Sequence, residues 1–233
     1  TRIGVLYYGS TSPAMHEAAE RFAAEGIAVD ESIPNGVAVR PQRPPLDTTP
    51  SVGFAGRLVR KKGVDVLLRA MALLRERVPG VRLVVVGDGP ERVALEGLAA
   101  ELGMREAVDF LGHLAQDAME RALAGVWAQA VPSRWEEPFG LVAAEAMMRG
   151  TAVAASASGG LTEQVAQGET GFLAPPGDAP ALAAALERIV RDRDFAERMG
   201  AAARTRALAD LTFDRHVDRI VDLYRALVPP RTS

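Results

Sequence analysis

The 233-residue chain has no cysteine, which excludes thiol catalysis, thiolate metal sites and disulfides. Aromatic residues make up only 5%, leaving few platforms on which bases could stack. Charge is nearly balanced, with 27 basic against 30 acidic residues. The net charge is −3 at neutral pH with a pI near 5.7, and no basic cluster interleaved with aromatics appears, so a nucleic-acid partner is not expected. No apolar run reaches the ~18 residues that a membrane span requires. The opening TRIGVLYYGSTSPAM reads as too short and too polar for a secretory signal. A cytoplasmic location, with room for peripheral membrane association, is the expectation. Of the 27 basic residues only Lys61 and Lys62 are lysine. The histidines, His16, His113 and His216, show no metal-ligand spacing, and no Gly-x-Ser-x-Gly elbow is present. A G-x-G-x-x-G dinucleotide fingerprint is missing as well, which disfavours an oxidoreductase.

What is present is a regular alternation of apolar runs and amphipathic stretches, the pattern of βαβ units on a parallel sheet. Strands are expected at 3–8, 51–56, 82–87, 107–112, 126–132, 151–156 and 171–174. Runs such as RLVVVG lack polar alternation, as burial on both sheet faces requires. Helices are expected at about 13–25, 64–78, 90–103, 140–150, 178–192, 194–209 and 212–227. The 64–78 helix sets Val66, Leu67, Ala70, Met71 and Leu74 on one face. Pro90 suits a first helical position and Asp178 an N-cap. The stretch 37–50, VAVRPQRPPLDTTP, is proline-rich and non-periodic and reads as an extended, fairly stiff linker.

The most informative segment is SRWEEPFGLVAAEAMMRG, residues 133–150. Glu137 precedes a Pro-Phe-Gly turn, and Glu145 lies inside a helix that Gly150 closes as a left-handed cap. Eight residues advance about 800° around a helix axis, which sets Glu145 within about 80° of Glu137. Two carboxylates would then face one space, with the free N–H groups of Gly140 and Leu141 between them. Paired acceptors of this kind suit the vicinal hydroxyls of a sugar. Taken alone, Glu145 would more simply face water or meet an arginine. Upstream, GFAGRLVRKKG joins a buried strand to a helix through a glycine-bounded basic loop, a fit for a diphosphate. Taken alone, that loop too would be a solvated basic turn. In VVGDGP, Gly87 and Gly89 permit a tight strand-to-helix turn that needs no function.

The 133–150 segment, with Gly159, Gly160 and Glu163 after it and GETGFLAPPGD beyond, resembles the retaining GT-B glycosyltransferases, family 4 in particular. IPNGV (33–37), GRLVRKKG (56–63) and VVGDGP (85–90) carry the same resemblance in the same order. The resemblance implies a Rossmann-like open parallel sheet with helices on both faces, the C-terminal half of a GT-B fold, over 51–228. Residues 1–36 would then be the last βα unit and hinge of an otherwise missing acceptor domain, and 37–50 the linker.

The implied activity is transfer of a sugar from a nucleotide diphosphate sugar to an unknown acceptor, with retention and without a metal or other cofactor. Arg57 and Lys62 correspond to the donor-phosphate residues. Glu137 corresponds to the residue on the sugar hydroxyls, aided by the Phe139, Gly140 and Leu141 amides, and Glu145 to the one on the ribose diol. Gly56, Gly87, Gly89, Leu111, Ser133 and Gly160 would complete the donor site, with FLG (110–112) beside the base. Two other functions stay open. One is a non-catalytic nucleotide-sugar-binding module, or half of a split transferase whose partner chain brings the acceptor domain. The other, further off, is a nucleotide-sugar epimerase.

Overall fold

The computed structural model describes residues 33–227, so the strand expected at 3–8, the helix at 13–25 and His16 lie outside the described residues. Six strands alternate with helices along the chain: β1 (Ser51–Ala55), α1 (Val64–Arg77), β2 (Arg82–Val86), α2 (Arg92–Glu101), β3 (Val108–Gly112), α3 (Gln116–Ala122), β4 (Ala128–Val131) and α4 (Leu141–Arg149). There follow β5 (Ala152–Ser156), α5 (Leu161–Gln164), β6 (Gly171–Ala174), α6 (Ala179–Val190), α7 (Arg193–Asp210) and α8 (Phe213–Leu227). All strand pairings are parallel, in the order β3-β2-β1-β4-β5-β6. This is the Rossmann-like sheet expected. Its order reverses between β1 and β4, where open α/β sheets bind ligands beyond the strand carboxyl ends.

Burial explains the sheet. Every residue of β1, β4 and β5 is buried, as unalternating Val/Ala sequences demand. Neighbouring residues of β5 feed opposite layers: Ala152 and Ala154 pack with Leu67, Met71, Leu182 and Leu186 of α1 and α6. Val153 and Ala155 pack with Met147, Met148, Ala203 and Ala207 of α4 and α7 on the other face. The predicted face of α1 is buried throughout, and Asp178 caps α6 by accepting from the Ala181 N–H at 2.8 Å. No helix among the described residues is long and apolar enough to cross a membrane.

Three expectations need correction. Pro90 sits in the turn ahead of α2, which begins two residues later at Arg92. Helix α3 was not foreseen, because none of its residues is buried and it therefore carries no apolar period. Helix α5, a single turn of four residues, is too short to register as a period at all. The 37–50 stretch is extended but tied down along its length. Val37 donates to Leu211 O at 2.8 Å, Arg43 Nη2 pairs with Glu197 at 2.8 Å, and Trp127 Nε1 donates to Asp47 O at 2.9 Å.

Candidate active site

Two loops leave the sheet where its order reverses. The first follows β1 through a single 3-10 turn, Arg60–Lys62, to Gly63, whose left-handed backbone (φ 68°) opens α1. The second follows β4 through Ser133 and Glu137 to Gly140, left-handed at φ 89°, which opens α4. They are joined by the Arg134 N–H donating to Lys61 O at 2.8 Å. The approach is so close that a Cβ on Gly63 would lie 2.0 Å from Pro132 O. Between the loops is a pocket of about 430 Å³ bordered by Lys62, Ser133, Trp135, Glu137 and Gly140. A second pocket, about 530 Å³, is bordered by Gly56, Arg57, Gly87 and His113. Ala55 and Val142 border both, so the two adjoin.

Glu137 is buried at 6% exposure, and its Oε1 accepts from Ser133 Oγ at 2.5 Å and from the Lys62 ammonium. Burial alone raises the carboxyl, but the hydrogen bonds from Lys62 and Ser133 outweigh it and hold the group below its ordinary value. Glu137 is therefore an anion at neutral pH. Its lysine retains further N–H donors, since an ammonium has three. Beyond Glu137 the first turn of α4 carries no side-chain cap, and its Leu141 and Val142 border the pocket with their N–H groups unclaimed by a capping residue. Arg57 is exposed and has no side-chain partner among the described residues.

Glu145 is in different company. It is half-buried, and its charged neighbours are Arg149, Glu120 and Arg40. Burial pushes its carboxyl up and the Glu120 charge adds to this, while Arg149 and Arg40 oppose, leaving it above the ordinary value. Arg149 itself is 3% exposed, held by Glu120 at 3.4 Å and by Gln129 Oε1 at 3.3 Å. The expected 80° convergence of Glu137 and Glu145 does not apply, because helical counting needs one helix. Here α4 begins only at Leu141, after Gly140 has turned the chain. Glu145 borders neither of the two pockets at the sheet reversal.

The glycines also hold loops against one another. Gly159 and Gly160 press against the Glu137 loop. A Cβ on Gly159 would lie 2.3 Å from Glu137 O, and the Gly160 N–H donates to that oxygen at 2.9 Å. Likewise a Cβ on Gly87 would meet Gly56 O at 1.8 Å, and one on Gly89 would meet Leu58 O at 2.3 Å. These glycines zip neighbouring loops together. Phe139 is buried, with its carbonyl accepting from Gln164, and Leu141 is half-exposed. Leu111 is 43% exposed on β3 and borders neither pocket.

Sequence reasoning missed Trp135, Arg149 and Glu120. Trp135 had a signal, being one of two tryptophans and inside the most informative segment. Among the described residues no group of three or more His, Cys, Asp or Glu side chains is placed to hold a metal ion.

A family model described as glycosyl transferases group 1 matches residues 38–206. The chain belongs to the group 1 glycosyl transferases. It is 40% identical over 198 residues to D-inositol 3-phosphate glycosyltransferase of Stackebrandtia nassauensis, covering 78% of this chain and 44% of that one. Among solved structures, sucrose-phosphate synthase of Thermosynechococcus elongatus matches with a TM-score of 0.79 and 34% identity, over 93% of this group 1 chain and 57% of that one. Anabaena HepE, solved with UDP and glucose, matches with a TM-score of 0.76 and 26% identity, over 90% of this chain and 61% of that one. The chain thus spans about half the length of the curated relatives it matches.

Proposed function

We propose that this chain is the donor-binding part of a retaining GT-B glycosyltransferase of family 4, using a nucleotide diphosphate sugar. The observation that carries this reading is Glu137. It is a buried anion fixed by Ser133 and Lys62 where the sheet order reverses, next to uncapped helix amides. An anion held so is ready to accept from sugar hydroxyls, and the remaining Lys62 donors and Arg57 suit a diphosphate. These cations would stabilise charge growing on the leaving phosphate, which departs from the face the acceptor attacks and takes the acceptor's proton. Glu145 is the candidate for the ribose diol.

A second reading is a non-catalytic nucleotide-sugar-binding module or half of a split transferase. Calorimetry with UDP, GDP, ADP and TDP and their sugars tests the donor site. Binding that requires the diphosphate is expected, and no binding of any of them overturns the proposal. Steady glycoside formation by the purified chain alone rejects the module reading, whereas formation only with an added partner chain supports the split enzyme.

A further inference from the structure

We infer that Trp135 is a wall of the subsite for the transferred sugar ring, presenting its indole to the apolar C–H face of a pyranose beside Glu137. The inference rests on the donor-site reading above and adds a contact that reading does not contain.

Trp135 is 37% exposed and borders the same pocket as Lys62, Ser133 and Glu137. The other tryptophan, Trp127, is buried at 6%. The backbone around Trp135 is pinned on both sides. Before it, the Arg134 N–H donates to Lys61 O at 2.8 Å; its own carbonyl accepts from Ser158 Oγ at 3.1 Å; after it, Glu137 O accepts from the Gly160 N–H at 2.9 Å. The ring is steadied too, with the Lys61 ammonium 4.0 Å from its centroid and Lys62 at 5.9 Å. An ammonium over an indole face is an attractive contact that limits ring rotation. The only two lysines of the chain therefore serve one aromatic ring, and one of them also serves Glu137.

A rigid apolar plate beside an ion pair is matched by few ligands. A pyranose has an apolar C–H face and a rim of hydroxyls, so one ring satisfies both the indole and the Glu137–Lys62 pair. A nucleobase also stacks on indole, and its amine and imide N–H groups can donate to a carboxylate as well. The two predict different responses. A base stack engages Trp135 with the bare nucleotide, whereas a sugar stack engages it only when the sugar is attached.

The test uses the full chain in a Trp127→Phe background, in which Trp135 is the sole tryptophan emitter. Titration with UDP and GDP, then with UDP-glucose and GDP-mannose, reads its emission. A change on adding a nucleotide sugar beyond that of the matching nucleotide is expected. Calorimetry on Trp135→Leu should show about five- to tenfold weaker binding of the nucleotide sugar, with nucleotide affinity within about twofold. Trp135→Tyr should restore most of the loss, and Lys61→Ala should lower the anisotropy of Trp135. An equal response to bare nucleotide, or equal weakening of both ligands, overturns the inference while leaving the donor site standing. If wild type binds no nucleotide at all, the donor-site reading fails first and this one with it.

Discussion

The Lys62 ammonium donates to the Glu137 carboxylate across 75 positions of sequence, joining the loop after β1 to the loop after β4. This contact charges the site and also closes it, because each partner belongs to a different half of the sheet. Glu137 is the more buried of the two, with side-chain exposure of 8% against 25% for Lys62. Losing the lysine is therefore worse for folding than losing the carboxylate.

Lys62→Met leaves a buried carboxylate with Ser133, and after it the Trp135 side chain, as its remaining donors. A loss of about 1–3 kcal/mol in urea unfolding is expected. Lys62→Met combined with Glu137→Gln should recover part of it. A double variant less stable than Lys62→Met would show that the pair is not the source.

The pH dependence follows from the lowered Glu137 value. The unfolded chain binds the proton more readily, so the stabilisation is complete above the ordinary carboxylate range and fades as pH falls through the folded value. Thermal melts in acid should lose less stability in Glu137→Gln than in wild type.

Glu145 behaves oppositely. Its folded value is raised, so its charge weighs against the fold at neutral pH, and that penalty disappears as pH falls and the group protonates. Glu145→Gln should melt higher than wild type at pH 8, with the difference shrinking on acidification. If this residue holds the ribose, Glu145→Ala should also lose on the order of 2–3 kcal/mol of nucleotide affinity. A variant that is more stable yet binds worse would be a residue kept for its ligand. Unchanged affinity would remove the ribose assignment.

Arg57 separates binding from folding. Being exposed, with no side-chain partner among the described residues, Arg57→Ala should change stability by less than about 0.5 kcal/mol. Its nucleotide diphosphate affinity should still fall, more at low salt than at high salt. Equal affinity in calorimetry at low salt would place the diphosphate elsewhere.

Gly63→Ala tests the joint between the loops. The left-handed φ of 68° disfavours any side chain, and the new Cβ would press on Pro132 O. A loss of more than about 1 kcal/mol is expected, with ligand affinity falling as the loops part. Full stability in the variant would mean that the loops adjust freely.

Local pattern was enough for much of this molecule. Unbroken Val and Ala runs alternating with amphipathic stretches fit strands buried on both faces of a parallel sheet, and the period of α1 named its core face residue by residue, since both are near-neighbour properties of the chain. Gly150 as the stop of α4 and Asp178 as the cap of α6 were legible for the same reason. Helix α3 was hidden because none of its residues is fully buried, and the angle between Glu137 and Glu145 could not be counted along one helix because Gly140 turns the chain first.

Residue types and their order along the chain determined the sheet, its helices and the group of loops that gather at its reversal. Which side chain meets which across those loops was decided only in three dimensions. Lys62 turned to Glu137, Lys61 to Trp135, and Gly159 to the backbone it supports. Those contacts depend on how closely two distant strands bring their ends together, a distance that no local pattern of residues encodes.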